Sequence, residues 1–340
     1  MKKVFIMRFA PCEKTPEKKT GKKVAIIGSG PAGLTVAGEL VCKGHEVHVY
    51  DRNPYPGGLL IFGIPEWRMP KEGIKKGIEK LKELGVKFIL NINVDDKKFE
   101  ELLREYDAVI IATGAWEDIK LNLPGIESKG IYTALDYLYK RSLWIEGYIP
   151  EDQVPKIGKK VIVIGGGNSA MDAARTTRRL GADVTVVYRR TKEYMPASKH
   201  EVSAAEKEGI KFIFLASPVR FISDERGHVS EVEFIRMKLG APDKSGRPRP
   251  EPVPGTEFRL EADTVILAVG QRSTPPFSNP EKFGIKVERG RIVTDEYGRT
   301  SREGVFACGD VATGSATIAE AIKTAKKTAA AVHEYLMKKA

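Results

Sequence analysis

Two glycine turns carry the chemistry available to this chain. In KKVAIIGSGPAGL, the residues Gly28, Gly30 and Gly33 stand in the order G-x-G-x-x-G. The first glycine of that pattern permits a tight strand-to-helix turn, the second lets backbone approach a pyrophosphate, and the third lets the helix pack close to the sheet. The helix that follows offers free N–H groups to phosphate oxygens. Asp51 follows Gly28 by 23 residues (51 − 28), where a carboxylate accepts hydrogen bonds from ribose hydroxyls. In KKVIVIGGGNSAMDAAR, the residues Gly165, Gly167 and Ala170 form the G-x-G-x-x-A variant. The same count from Gly165 lands on Tyr188, and Arg189 and Arg190 come next. A carboxylate there would repel a 2′-phosphate, whereas planar guanidinium forks bind one. The second turn is therefore expected to take NADP(H), and the first a dinucleotide with free ribose hydroxyls.

The elements that must position these residues repeat. Segments 22–51 and 159–190 share one pattern of paired lysines, a continuous apolar strand, a glycine turn, a helix and a second strand. Each is followed by a further apolar strand closing on glycine, AVIIATG (108–114) and TVILAVG (264–270). Uninterrupted apolar strands between helices predict buried parallel sheets. Two copies predict an α/β protein with two Rossmann-like dinucleotide-binding domains. A chain of 340 residues, 41% hydrophobic, is long enough for two cores.

Other features narrow the class. Apolar runs such as Val161 to Ile164 and Val265 to Val269 are too short to span a bilayer. Arg8 breaks the apolar start of the chain, so no export signal is expected. Cys12, Cys42 and Cys308 read as three unpaired thiols, which fits a reducing cytoplasm, and without C-x-x-C no dithiol centre or cluster site is encoded. His45, His48, His200, His228 and His333 have no metal or triad spacing and are expected in surface or packing roles. Glu201 and Glu206 are expected as solvated helix charges. The net charge of +11 is spread widely without interleaved aromatics, which favours a solvated surface over a nucleic-acid site. Docking to an acidic protein is a further reading of that charge. The Lys, Glu and Ile bias points weakly to a heat-adapted source. Val4 to Met7 could pair as a strand with a neighbouring chain, so a homo-oligomer stays open.

The first site's ligand is narrowed by two further stretches. NPYPGGLLIFGIPEWRMPKE (53–72) has a glycine pair within an apolar run, as backbone wrapped around a large flat ligand requires. GVFACGDVATGSATIAEAI (304–322) offers Gly309 and Asp310, then a helix starting near Thr317. Asp310 can accept hydrogen bonds from a polyol chain. The helix N-terminus favours the negative charge that a reduced flavin ring carries. FAD is the expected ligand.

In their order, GSGPAGL, YPGGLLIFGIP, IIATGA, GGGNSAMDAARTTRRLGA, VYRRT with MPA, VILAVGQ and FACGDVATGSATIAEAI run from about Lys22 to Ala330. Together they resemble the two-dinucleotide flavoprotein oxidoreductases, and within them the NADPH-dependent small (beta) subunit of glutamate synthase. The resemblance implies FAD on Gly28, Gly30, Pro31, Ala32, Gly33, Asp51, Arg52, Gly58, Leu59 and Arg68, with Thr113, Gly114, Gly309, Asp310, Thr317 and Ile318 completing the site. It implies NADPH on Gly165, Gly167, Asn168, Ser169, Arg189 and Arg190, with Gly270 closing the pocket. It implies a FAD-binding domain, residues 1–128 and 272–340, split by an NADPH-binding domain, residues 129–271, with 1–21 as an N-terminal arm. The family's cysteine-rich iron–sulfur domain is expected to be lacking, and Cys308 is expected to have no partner for a thioredoxin-reductase disulfide. The implied activity is acceptance of hydride from NADPH and delivery of electrons to a glutamate synthase large subunit-like chain or a ferredoxin. Orientation and tuning of the ring suffice for the first step, so no catalytic side chain is named. Two alternatives remain: a stand-alone NADPH:ferredoxin or NADPH:acceptor flavin reductase, and a non-catalytic nucleotide-binding or assembly protein.

Overall fold

A computed structural model describes residues 5–338. The chain divides into two compact units, Met1–Glu117 with Gln271–Ala340, and Asp118–Gly270. The sequence placed the first division after residue 128. Leu121, Leu123 and Ile126 instead pack on the core of the second unit, so the chain joins that unit from Asp118 onward.

The elements follow in chain order. First come β1 (Lys23–Ile27), α1 (Pro31–Val41), β2 (Glu46–Tyr50), α2 (Leu59–Phe62), α3 (Glu72–Glu83), β3 (Lys87–Ile89), α4 (Asp96–Glu105), β4 (Ala108–Ile111) and β5 (Glu117–Asp118). Next are β6 (Ile131–Thr133), α5 (Ala134–Ile145), β7 (Lys160–Ile164), α6 (Asn168–Arg179), β8 (Asp183–Tyr188), α7 (Lys199–Lys207) and β9 (Lys211–Phe214). Then come β10 (Ala216–Ser223), β11 (Val229–Pro242), β12 (Pro248–Pro252), β13 (Phe258–Glu261) and β14 (Thr264–Leu267). Last are β15 (Gln271–Arg272), β16 (Val287–Glu288), β17 (Arg291–Ile292), β18 (Val305–Ala307), α8 (Asp310–Thr313) and α9 (Ile318–Lys338).

Each unit is built on a parallel five-stranded sheet. The orders are β18-β4-β1-β2-β3 and β6-β14-β7-β8-β9. Both glycine turns leave a central strand, β1 or β7, whose apolar residues are buried, as expected of strands covered on both faces. In the first unit, Phe99 lies edge-on to Phe277 and Phe283, with centroids 5.0 and 4.9 Å apart, on a face shared with Ile27 and Ile111. In the second unit, Tyr137, Met171 and Val202 cover one sheet face from α5, α6 and α7. The other face meets the antiparallel β10, β11 and β13 through Phe221, Val232, Phe234 and Leu260.

Charged groups inside the second unit are paired. Buried Arg175 on α6 bonds Glu201, and its Nη2 donates to Glu208 Oε1 at 2.7 Å. Glu201 is therefore not a solvated helix charge: α7 packs against α6 and turns it onto the guanidinium. Glu206, one turn on, stays exposed and pairs with Lys192 at 2.6 Å.

The N-terminal segment is an ordered strap on the first unit. A Cβ on Gly38 of α1 would stand 2.0 Å from Phe9 O; on Gly73 and Gly77 of α3 it would stand 1.7 Å from Phe5 O and 2.1 Å from Met7 O. Glycine on these helices thus makes the groove into which the strap's backbone sinks, and Phe9 is buried. Met7 N donates to Gly73 O at 3.1 Å, and Phe5 to Met7 form no strand. Val4, part of the expected strand, lies outside the described residues. Cys12 and Cys42 form a disulfide with Cα atoms 5.8 Å apart, which overturns the reading of three unpaired thiols. The two are separated by 30 positions, and only the strap's path past the end of α1 brings them together. Cys308 is free, and burial pushes its thiol up to about 12. His45 is buried between Thr20 Oγ1, 2.7 Å away, and His333 Nδ1, 2.8 Å away, and burial pushes it down to about 4. Among the described residues no group of His, Cys, Asp and Glu is placed to hold a metal, and no helix is long and apolar enough to cross a membrane.

Closing a loop of this length is worth about 3.6 kcal/mol through the unfolded chain. Cys42→Ser is expected to lower stability by about that amount in denaturant unfolding and to open Arg8 to trypsin. An unchanged midpoint and an uncut strap would show that the glycine groove alone holds it.

Candidate functional site

The first site begins where β1 ends. Gly28 has φ +103°, and a Cβ there would stand 2.2 Å from Ala112 O. A Cβ on Gly33 would stand 1.9 Å from Gly28 O. Protein sterics alone demand both glycines. Gly30 differs, because no atom lies within 4 Å of where its Cβ would be. It is the N-cap of α1, followed by Pro31 and Ala32, and no side chain caps it. That open, uncapped helix start suits a phosphate.

Asp51 is buried beside this turn at the end of β2. Its Oδ2 accepts from Ser29 N at 2.8 Å and Ser29 Oγ at 2.5 Å, and Oδ1 accepts from Asn53 N at 2.8 Å. A carboxylate has about four lone-pair sites, so acceptor capacity remains for a ribose. The GGLL loop closes over the same turn. Gly57 N donates to Ser29 O at 2.9 Å, and a Cβ on Gly58 (φ +53°) would stand 2.7 Å from Gly30 Cα. Leu59 then starts α2. Arg52 lies over the Trp116 ring at 5.0 Å, and Arg68 is half-buried after the turn at Pro65.

The sequence reading missed Lys71. It is buried, and its Nζ donates to Leu60 O at 2.6 Å and Ile64 O at 2.5 Å, satisfying carbonyls at the end of α2. The available signal was a lone lysine closing an apolar loop.

The far side of the site comes from β4 and the segment after β18. Thr113 follows Ala112, and its Oγ1 is buried without a hydrogen-bond partner. Gly114 has φ +72°, and its carbonyl accepts from Thr274 N at 3.0 Å. A Cβ on Gly309 (φ +72°) would stand 2.8 Å from the Cβ of Ala32, so Asp310 follows directly on the first turn of α1. Asp310 Oδ1 accepts from Ala316 N at 3.3 Å, and burial, with Glu320 adding to it, pushes the carboxyl up to about 6. Helix α9 begins at Ile318. Thr317 N donates to Glu320 Oε2 and Glu320 N to Thr317 Oγ1, both at 3.2 Å, which makes a capping box. An orphaned hydroxyl, a half-buried carboxyl whose pKa burial raises and an uncapped helix start are features that a ligand with hydroxyls and phosphates would satisfy. The residues present fit FAD.

The second unit repeats the key contact. A Cβ on Gly165 (φ +142°) would stand 2.0 Å from Ala268 O. Gly167 caps α6 without a side-chain cap, and no atom lies within 4 Å of its Cβ position. Asn168 Oδ1 accepts from Ser198 N at 3.1 Å, and Ser169 is half-buried in the first turn. Gly270 (φ +115°) follows β14 and accepts from Ile119 N at 2.9 Å. The two arginines, paired in the sequence reading, separate here. Arg189 is exposed and makes no hydrogen bond or ion pair with any described residue. Arg190 is buried, with Nε on Pro248 O at 2.8 Å and Nη2 on Asp243 Oδ2 at 3.1 Å. The chain bends after β8, and the bonds to Pro248 and Asp243 draw Arg190 inward while Arg189 stays at the surface.

The model of the pyridine nucleotide-disulphide oxidoreductases matches residues 22–328. The chain belongs to this family. It is an enzyme, an oxidoreductase, of the glutamate synthase small-chain type. It is 40% identical over 327 residues to the glutamate synthase [NADPH] small chain of Halomonas elongata, covering 93% of this chain and 68% of that one. The Escherichia coli small chain is 38% identical over 347 residues, with 98% and 72% covered. The NADP(+)-dependent formate dehydrogenase subunit beta of Moorella thermoacetica is 41% identical over 331 residues, but the chain spans only 45% of its length. Among solved structures, Mycobacterium tuberculosis FprA in complex with NADPH has the same fold, with a TM-score of 0.74, 23% identity, and coverage of 93% of this chain and 85% of that one.

A carboxyl pushed up to about 6 holds a proton in the folded apoprotein that the unfolded chain has lost, so its contribution to stability falls as pH rises from about 4 through about 6. A ligand that donates hydrogen bonds to it favours the ionised form. FAD affinity is therefore expected to rise across that interval and flatten above it. Calorimetry at pH 5 should show proton release on binding, and Asp310→Asn should abolish it. A wild-type affinity that is flat with pH would remove the role.

Proposed function

We propose that this chain is an NADPH-dependent FAD oxidoreductase that delivers electrons to a partner protein, as an electron-input subunit of the glutamate synthase type. One observation carries the reading. The same glycine-turn contact, Gly28 against Ala112 and Gly165 against Ala268, occurs in both units, but the second strand after it ends in Asp51 in one and Arg189 in the other. When bound, the two groups supply hydride donation by the nicotinamide, its acceptance by the flavin, and release of the electrons to an acceptor.

The chain's own residues bind and orient. The open starts of α1 and α6 take pyrophosphates. Asp51 holds ribose hydroxyls, and Arg189 meets a 2′-phosphate that Asp51 would repel. Thr113 and Asp310 offer partners to a polyol chain and a ring edge. No side chain needs to move a proton for the first transfer, so orientation is the catalytic contribution of the chain.

The acceptor is a glutamate synthase large subunit-like chain or a ferredoxin, and the net charge of +11 favours an acidic one. The working compartment is the cytoplasm. The Cys12–Cys42 bond fits it in a heat-adapted cell, where intracellular disulfides are common.

Anaerobic titration of the purified, FAD-loaded protein with NADPH is expected to bleach its visible absorbance stoichiometrically, and NADH to do so only at much higher concentration. A spectrum that NADPH leaves unchanged would return the chain to the non-catalytic reading. Reoxidation by ferredoxin, against reoxidation only by a co-purifying large chain, separates the two acceptors.

A further inference from the structure

The turn between β11 and β12 brings a third arginine to the end of β8. Asp243 organises that turn: its Oδ1 accepts from Ser245 N at 2.8 Å, Ser245 Oγ at 2.5 Å and Arg247 N at 3.3 Å. Its Oδ2 takes Arg190 at 3.1 Å, and Pro248 O takes the same guanidinium at 2.8 Å. Arg190 is only 3% exposed, so these bonds fasten the turn to the strand end. The strand end in turn abuts the glycine turn, because a Cβ on Gly166 would stand 2.6 Å from the Tyr188 ring. The residues after Tyr188 therefore stand at the phosphate-binding end of the sheet.

Two guanidinium groups there have no ion pair with a described residue. Arg189 bonds no described residue, and Arg247 gives its Nε to Ser245 Oγ at 3.1 Å without meeting a carboxylate. Desolvation, with the charges of Arg190 and Arg247 adding to it and Asp243 opposing it, pushes the pKa of Arg189 down. Like charges held together in a partly dry place favour the binding of an anion.

We propose that Arg247 is a second specificity-determining arginine for the cofactor's 2′-phosphate, gripping it with Arg189, while Arg190 and Asp243 position the turn. This rests on reading the second unit as the NADPH site. A dianionic phosphate presents enough oxygens for two planar forks, and neither fork is ion-paired to a described acid. The ribose of NADH offers nothing in that place, so the turn discriminates as well as binds.

The test uses the full FAD-loaded chain and calorimetry with 2′,5′-ADP and with 5′-AMP. Arg247→Met is expected to weaken 2′,5′-ADP about tenfold or more, the loss of a charge-assisted bond, and to change 5′-AMP by less than about twofold. Arg247→Lys should recover part of the loss. Asp243→Asn should act in the same direction, because it loosens the turn from Arg190. If Arg247→Met leaves the preference for 2′,5′-ADP unchanged, or weakens both ligands equally, while Arg189→Met abolishes the preference, the proposal is overturned and the NADPH reading stands. If neither substitution alters the preference, both fall.

Discussion

The structure depends on one close approach made twice. At the end of each central strand a glycine lies so near the last turn of its neighbouring strand that no side chain fits: Gly28 against Ala112, Gly165 against Ala268. That contact sets the chain's exit from the sheet and the direction of the helix that follows. It therefore decides where a set of free N–H groups points. Gly30 and Gly167, two positions further on, have no protein atom near their Cβ positions. The first glycine of each turn is demanded by the fold, whereas the second is not demanded by any protein contact and suits the approach of a pyrophosphate.

Around this shared frame the units diverge in what they bring to it. In the first, two separate loops converge on α1: the Gly57–Gly58 pair lies on the glycine turn, and Gly309 lies on Ala32. Lys71 steadies one loop from behind by donating to Leu60 O in its short helix and to Ile64 O just after it. In the second, the Asp243 turn is fastened to the end of β8 by Arg190. Small residues and the acids Asp51 and Asp310 thus stand around the first turn, and the cations Arg189 and Arg190 follow the strand beside the second.

The strap applies the same device outside the sites. Gly38, Gly73 and Gly77 let the backbone of residues 5–9 lie directly on α1 and α3, and the disulfide and the Thr20–His45–His333 chain secure it further along. Helix α1 therefore carries the phosphate-binding turn at one end and the cystine at the other. Its long neighbour α9, which contributes His333, begins beside the Asp310 loop.

Local order sufficed for much of this. Apolar strand, glycine turn, helix and second strand follow each other within about 30 residues, so their geometry is set by neighbours in the chain, and both parallel sheets and both phosphate turns were legible. The places of Asp51 and Arg189 were legible for the same reason, because a strand of known length delivers the residue after it to a known place. What escaped involves residues brought together from far along the chain. Cys12 meets Cys42 only because the strap turns back. Glu201 is buried because α7 happens to face Arg175. Arg190, identical in type to Arg189, is claimed by Asp243 from a hairpin 53 positions away. The one-dimensional pattern settles which residues stand at a strand's end; which way each points, and what meets it there, is set by packing among distant segments, since side-chain contacts form in space and carry no fixed sequence interval.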